Sequence, residues 1–120
     1  MAKPGKKGVV RIIDATGYSW KGLKAAWKHE AAFRQELMLA VVGIPLAVYL
    51  AENKLELLWL ILPLFILVIA ELINSAIEAV VDRISDEHHE LSGRAKDIGS
   101  AIVFVSLVAL VSIWFIVLYY

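Results

Sequence analysis

The chain has 120 residues, of which 60% are hydrophobic, and its formal net charge is zero. Together with a mean hydropathy of +0.71, this composition excludes an ordinary small soluble domain and indicates an integral membrane protein. The sequence contains no cysteine, which excludes a disulfide framework.

The first predicted element is an amphipathic helix over about residues 9–29 that lies at the membrane surface. An apolar stripe is formed by residues at positions i, i+3 and i+7: Trp20, Leu23 and Trp27. A basic stripe has the same spacing one position later: Lys21, Lys24 and Lys28. An aromatic stripe beside a basic stripe is typical of a helix in the headgroup plane whose lysines face anionic lipid. The alternative is that the tryptophans pack on the transmembrane helices.

Three membrane spans are predicted after this helix, at about 31–51, 54–84 and 97–120. A helix needs roughly 20 mostly apolar residues to cross the hydrocarbon region. The sequence therefore predicts an all-α integral membrane protein in which residues 1–120 form a single membrane domain, with one amphipathic surface helix and three transmembrane helices.

Proline and aromatic residues add two expectations about the spans. Pro45 and Pro63 predict kinks, at which neighbouring groups or water satisfy the freed backbone atoms. Trp114, Tyr119 and Tyr120 resemble an aromatic belt at the outer membrane surface.

The distribution of charge predicts the orientation of the spans. Residues 1–36 contain eight Lys or Arg and three acids, whereas the connection around Lys54 contains no other basic residue. The connection from Asp82 to Asp97 contains three basic residues. By the positive-inside rule, the N-terminus and this second connection are cytoplasmic, and the C-terminus lies outside.

Span 2 combines an apolar half with an acidic half. Residues 57–70 lack charge, and at about 100° per residue Glu78 and Asp82 then project within roughly 20° of Glu71. A charged residue near the bilayer centre costs on the order of 3 kcal/mol, so these acids should face a protein interior or a wet cavity. Function is favoured over interhelical adhesion, since neighbouring carboxylates repel unless a cation or proton lies between them.

The acidic face suggests metal or proton chemistry at the cytoplasmic mouth of the spans. Carboxylate oxygens suit Mg²⁺, and Glu30, Lys96 and Asp97 are predicted at the same side of the membrane. The sequence has neither a GxxxxGK[ST] loop nor the protein-kinase motifs, which excludes the two common nucleotide-binding folds. Considered by themselves, the residues leave a metal site and a proton site both open.

The segment "ELINSAIEAVVD", residues 71–82, resembles the signature E-x-x-N-[ST]-A-[IL]-E-x-x-x-D of the small prokaryotic membrane-integral diacylglycerol kinases. The resemblance continues through "HELSGRAKDIGSA" and "RIIDATGYSWKGLKAAWKHEAAFRQE" and so covers nearly the whole chain. Relatives that phosphorylate undecaprenol share the central signature, and the aromatic N-terminal block favours the diacylglycerol type.

The resemblance implies a homotrimer with active sites at subunit boundaries, in the bacterial cytoplasmic (inner) membrane. The reaction it implies is direct transfer of the γ-phosphoryl group of Mg·ATP to the primary hydroxyl of diacylglycerol, which gives phosphatidic acid. The expected partners are ATP, diacylglycerol, membrane lipid and further copies of the chain, with Mg²⁺ as cofactor and no nucleic acid.

The resemblance also assigns roles to single residues. It makes Glu71 the general base, with Asn74 and Lys96 as further catalytic residues, and makes Glu30 and Glu78 the metal ligands. The ATP-binding set is Arg11, Tyr18, Glu30, Glu78, Glu87, His88, His89, Lys96 and Asp97. The lipid-binding set is Arg11, Ala15, Ser19, Trp20, Ala32, Phe33, Arg34, Gln35, Glu36, Glu71 and Ser100. The role of Asp82 stays open, and Tyr49 stands where the family pattern has tryptophan.

Two other classes of function compete with a lipid kinase. An ion or proton conductor would need a continuous polar path, and span 3 offers only Ser100, Ser106 and Ser112 for it. A structural subunit of a membrane assembly predicts that Glu78→Gln leaves function unchanged.

Overall fold

The computed structural model describes residues 7–120, and every regular element in that range is a helix. The four helices are α1 (Gly8–His29), α2 (Ala31–Leu50), α3 (Lys54–Ile84) and α4 (Glu90–Tyr119). The last three are long and apolar enough to cross a membrane. The predictions of an all-α fold and of three candidate spans are therefore confirmed.

Helix α3 is central, because α2 and α4 both pack against it whereas α1 contacts mainly α2. Leu64 and Leu67 of α3, Ala40 of α2 and Leu110 of α4 form the apolar core. The chain measures 47 × 42 × 22 Å, and its smallest dimension is about two helix diameters. The outer faces of the spans consequently remain exposed in the single chain.

Helix α1 keeps its aromatic stripe away from the spans. Trp20 is 60% exposed and Trp27 is 45% exposed. The Lys24 ammonium lies 5.5 Å from the centre of the Trp20 ring, and the Lys21 ammonium lies 5.6 Å from that of Tyr18. In this chain the tryptophans do not pack into the core, which favours a lipid-facing stripe over the packing alternative.

One residue makes the corner between the surface helix and the first span. Glu30 has an extended backbone (φ −117°, ψ 105°), and helices begin or end on either side of it. The Arg34 guanidinium donates hydrogen bonds from Nη1 to the carbonyls of Trp27 (2.7 Å) and Lys28 (3.4 Å). Arg34 thus satisfies carbonyls that the end of α1 leaves without helical partners.

Helices α3 and α4 are tied near Pro63. The Trp114 indole Nε1–H donates to the carbonyl of Leu60 at 3.0 Å, three residues before the proline. Pro63 has no amide hydrogen to donate to the carbonyl of Trp59, and the Trp114 bond adds a contact between helices in the same turn of α3. Trp114 is a half-buried contact between helices, whereas Tyr119 and Tyr120 are exposed. The aromatic belt stays a prediction.

Helix α4 begins at Glu90, well before the start of span 3 predicted near residue 97. The imidazole Nδ1 of His89 accepts a hydrogen bond from the Leu91 amide at 3.0 Å and caps the helix. A short loop, residues 85–89, is left between α3 and α4.

Candidate active site

Four glutamates lie close together where α1, α2 and α3 meet. Glu71 of α3 is only 4% exposed. Glu36, on the first turns of α2, is an electrostatic neighbour of its carboxyl group, as are Glu30 and Glu78. The acidic face predicted for span 2 is therefore joined by two acids from outside α3, Glu30 and Glu36.

The glutamates of this carboxylate cluster (Glu30, Glu36, Glu71 and Glu78) form no ion pair with a lysine or arginine of residues 7–120. Lys96 is an electrostatic neighbour of Glu78. One oxygen of Glu36, Oε2, is buried and receives no hydrogen bond from the described part of the chain. Because neighbouring carboxylates repel, the arrangement needs a proton or a cation among them.

Asn74 lies on α3 between two members of the cluster. Its Nδ2 donates to Oε1 of Glu78 at 3.4 Å, one helical turn away. Its Oδ1 is buried and has no hydrogen-bond donor. The Asn74 amide therefore orients one carboxylate and keeps an acceptor free.

The cluster has the chemistry of a magnesium site, although a single chain supplies few ligands to any one point. Among the described side chains, no group of three or more histidines, cysteines, aspartates or glutamates converges on one point. Mg²⁺ does not need such a group, because it keeps much of its water and is commonly held by one or two carboxylates together with substrate phosphates. Glu30 and Glu78 offer hard oxygen ligands of that kind and form no ion pair within residues 7–120.

A mostly apolar groove of about 620 Å³ between α1 and α3 leads to the cluster. Ser19 lines it from α1, and Glu30, His29 and Ser75 form its polar part. The Ser75 hydroxyl is buried and has no partner. The Ser19 hydroxyl, in contrast, donates to the carbonyl of Ala15 at 2.9 Å, as helical serines commonly do.

An ion pair links the C-terminal end of α3 to α4. Lys96 Nζ lies 2.6 Å from Oδ1 of Asp82, with 43% and 61% of the respective side chains exposed. Both residues line a cleft of about 480 Å³, together with Glu87, His88 and His89 from the connecting loop. Asp82 lies one helical turn beyond Glu78, so this cleft begins next to the carboxylate cluster.

A second cleft of about 540 Å³ opens on another face of α4. Asp97 lines it, and His88 and His89 border both clefts. Five residues of the predicted ATP-binding set thus border two clefts that share a loop: Glu87, His88, His89, Lys96 and Asp97. Arg11 and Tyr18 lie on α1 and line neither cleft of this chain.

The remaining predicted lipid contacts are spread over α1, the start of α2 and α4. Ala15, Trp20, Ala32, Gln35 and Ser100 are exposed, whereas Phe33 is buried in the fold. Arg34 is bonded to the end of α1. A single chain therefore brings the acidic residues together but leaves most of the predicted lipid contacts on an open surface.

Two contacts of the site, Glu36 with Glu71 and Asp82 with Lys96, could not be predicted from the sequence, although all four residues had been noted. Glu36 was placed among the lipid contacts, and its approach to Glu71 depends on how α2 and α3 cross. Asp82 was left without a role, and its partner Lys96 is on the next helix. Two residues of opposite charge flanking a short loop are the one signal that could have suggested this ion pair.

Comparison with known proteins places these features in one family. Residues 17–118 match the family model described as prokaryotic diacylglycerol kinase. The chain is 51% identical to a diacylglycerol kinase of Escherichia coli strain K12 over 112 residues, which are 93% of this chain and 92% of that protein. It is 50% identical to the diacylglycerol kinase of Haemophilus influenzae over 107 residues, covering 89% and 91% of the two chains.

A third relative, the diacylglycerol kinase of Pseudomonas aeruginosa, is 49% identical over 110 residues, which are 92% of this chain and 89% of that protein. The family match includes most of α1 and all three candidate spans. The resemblance stated from residues 71–82 is thereby confirmed, and the chain belongs to the prokaryotic diacylglycerol kinase family.

Proposed function

We propose that this chain is an ATP-dependent lipid kinase that transfers the γ-phosphoryl group of Mg·ATP directly to the primary hydroxyl of diacylglycerol, giving phosphatidic acid. Membership of the family and the names of its relatives support the reaction. The single structural observation that most supports it is the buried Glu71. It lies in a carboxylate cluster that forms no ion pair within residues 7–120, beside a cleft that Lys96 lines.

Glu71 is the proposed general base. A base must reach the hydroxyl proton that it removes, and Glu71 lies close to the polar end of the groove between α1 and α3. Diacylglycerol in that groove would present its hydroxyl at headgroup depth, with α1 along the lipid. The predicted lipid contacts on α1 and at the start of α2 would hold the glycerol portion.

Glu30 and Glu78 are the proposed metal ligands. When bound, Mg²⁺ would neutralise charge on the transferred phosphoryl group. Asn74 orients Glu78 by its hydrogen bond. Lys96, held towards its cleft by Asp82, supplies a further positive charge for the phosphates, and positioning of this kind accounts for most catalysis in phosphoryl transfer.

The proposed nucleotide position is the pair of clefts around the 85–89 loop, with Glu87, His88, His89 and Asp97 as contacts. Arg11 and Tyr18 would complete this site from another copy of the chain, since they line neither cleft of their own chain. This arrangement supports the proposed homotrimer with sites at subunit boundaries.

The proposed setting is the bacterial cytoplasmic membrane, in which residues 1–120 form one multi-pass domain. The N-terminus and the 85–89 loop would be cytoplasmic and the C-terminus outside, as the distribution of basic residues favours. This orientation gives the clefts access to cytoplasmic ATP.

The decisive experiment offers the purified chain labelled ATP and Mg²⁺ in mixed micelles with diacylglycerol or undecaprenol. We expect labelled phosphatidic acid, and a decrease in kcat of about a hundredfold or more for Glu71→Gln, because the variant cannot accept the proton. Glu52→Gln, an exposed acid in the opposite connection, is the matched control.

Two outcomes would contradict the proposal: no phosphatidic acid from the folded protein, or full activity in Glu71→Gln. Phosphorylation of undecaprenol in strong preference to diacylglycerol would transfer the assignment to the other branch of the family.

A further inference from the structure

Two glycines in the spans lie where a methyl group would not fit. A Cβ added at Gly43 of α2 would lie 2.9 Å from Cδ1 of Leu64, the end of a flexible side chain. A Cβ added at Gly99 of α4 would overlap Oδ1 of Asn74 and would lie 3.7 Å from Cδ1 of Ile77. Gly99 is itself buried, so α4 approaches the Asn74 amide so closely that only a hydrogen atom fits between them.

The Asn74 amide has little freedom to move away from a methyl group. The residue is 8% exposed, and its Nδ2 already donates to Glu78. Exchanging the amide oxygen and nitrogen would direct an oxygen at the Glu78 carboxylate, and the two acceptors would repel. The backbone at Gly99 thus limits the position of the Asn74 amide, and the Glu78 carboxylate selects the orientation in which Asn74 donates to it.

A hydrogen bond of this kind commonly orients a metal-binding carboxylate, and losing such a bond typically lowers metal affinity about tenfold to a hundredfold. We propose that Gly99 is a positioning residue for the metal site, because its missing side chain lets α4 fix Asn74 and, through Asn74, Glu78. This inference rests on the proposed function, in which Glu78 binds the metal.

The experiment measures metal binding directly in the full-length protein in micelles. Mn²⁺ replaces Mg²⁺, a non-hydrolysable ATP analogue is present, and the electron paramagnetic resonance signal of free Mn²⁺ reports binding. We expect Gly99→Ala to raise the Kd for Mn²⁺ about tenfold. Gly43→Ala is the matched control, since it adds the same methyl group at a crowded place among the spans and is expected to leave the Kd unchanged.

A second comparison separates this effect from general damage to packing. Asn74→Ala should also raise the Kd, because Glu78 loses its donor, and adding Gly99→Ala to that variant should raise it no further. In the double variant the Asn74 amide is absent, so the methyl group at residue 99 no longer overlaps it. The double variant therefore tests the positioning role even if Gly99→Ala alone fails to fold.

The outcomes distinguish the inference from the function beneath it. Wild-type Mn²⁺ affinity in folded Gly99→Ala would overturn the positioning role, as would a further loss of affinity, or failure to fold, in the double variant. If Glu78→Gln also keeps wild-type affinity, the proposed metal ligand itself is wrong. Absence of phosphatidic acid formation by the wild-type protein would refute the proposed reaction instead.

Discussion

Asp82 and Lys96 join the ends of two helices at the place where a nucleotide is proposed to bind. Their 2.6 Å ion pair is largely open to solvent, and exposed pairs of this kind contribute little to stability. Its effect should therefore be local: Asp82 limits the directions in which the long Lys96 side chain can point. A lysine already held at the edge of the cleft loses less conformational freedom when it meets a phosphate.

We therefore expect Asp82→Asn to raise KM for Mg·ATP roughly fivefold, the upper range for an exposed ion pair, with little change in kcat. The melting temperature should hardly change. Steady-state kinetics at saturating diacylglycerol and thermal unfolding monitored by circular dichroism would measure both. Glu52→Gln, which removes an exposed acid at the opposite connection, should leave KM unchanged. A large decrease in stability with an unchanged KM would show instead that Asp82 is structural.

Helical periodicity was enough to place Glu71 and Glu78 on one face of span 2, because that spacing is local. It could not place Glu36 beside Glu71, since this contact depends on the crossing of α2 and α3. It also could not place Gly99 against Asn74, since this approach depends on how α3 and α4 pack.

At the scale of elements, α3 and α4 are joined at two distant points. The Asp82–Lys96 pair ties one end, and the Trp114–Leu60 hydrogen bond ties the region of Pro63. Both contacts can form together in only one register of α4 along α3. Gly99 lies on the same helix between them and keeps its register with Asn74.

Trp114→Phe should lower the free energy of unfolding by about 0.5–1.5 kcal/mol, because the Leu60 carbonyl loses its donor while the aromatic packing largely remains. Unfolding in mixed detergent micelles, monitored by circular dichroism, would measure the change. Trp59→Phe is the matched control, since Trp59 is half exposed and its indole makes no hydrogen bond within residues 7–120. Equal effects of the two substitutions would contradict a specific role for the Trp114 bond.

Some helix boundaries could be predicted from the sequence, and others could not. Helix α3 occupies residues 54–84, the range predicted for span 2, because a long apolar stretch and its polar continuation share one helical period. The start of α4 was missed because the polar residues 90–96 gave no membrane signal, although the His89 cap allows a helix there. The contact of Trp114 with α3 could not be predicted, because its partner lies on another helix.

At the scale of the whole molecule, a single chain is thin and leaves much of its apolar surface uncovered. Phe65, Phe104 and Phe115 are each more than half exposed on the three-span assembly. Lipid can cover such surfaces, but it cannot supply the residues that the nucleotide clefts lack within one chain. The proposed trimer would bring Arg11 and Tyr18 of one copy to the clefts of another.

The trimer proposal predicts a mass of three chains for the active protein in micelles, measurable by light scattering or native mass spectrometry. It also predicts that mixing two inactive variants, Arg11→Ala and Lys96→Ala, restores part of the activity, since some sites then receive intact residues from both. A monodisperse monomer with full activity would contradict both the assembly and the shared site. The control is the Lys96→Ala variant treated in the same way without Arg11→Ala, which should stay inactive.

The corner at Glu30 has a geometric consequence for the whole enzyme. One residue separates the surface helix from the first span, so no flexible linker can absorb a change in their relative height. The Arg34 hydrogen bonds stiffen the same corner. If a lipid hydroxyl meets Glu71 as proposed, the depth of that meeting is built into the protein, and we expect the bilayer surface to adapt to it.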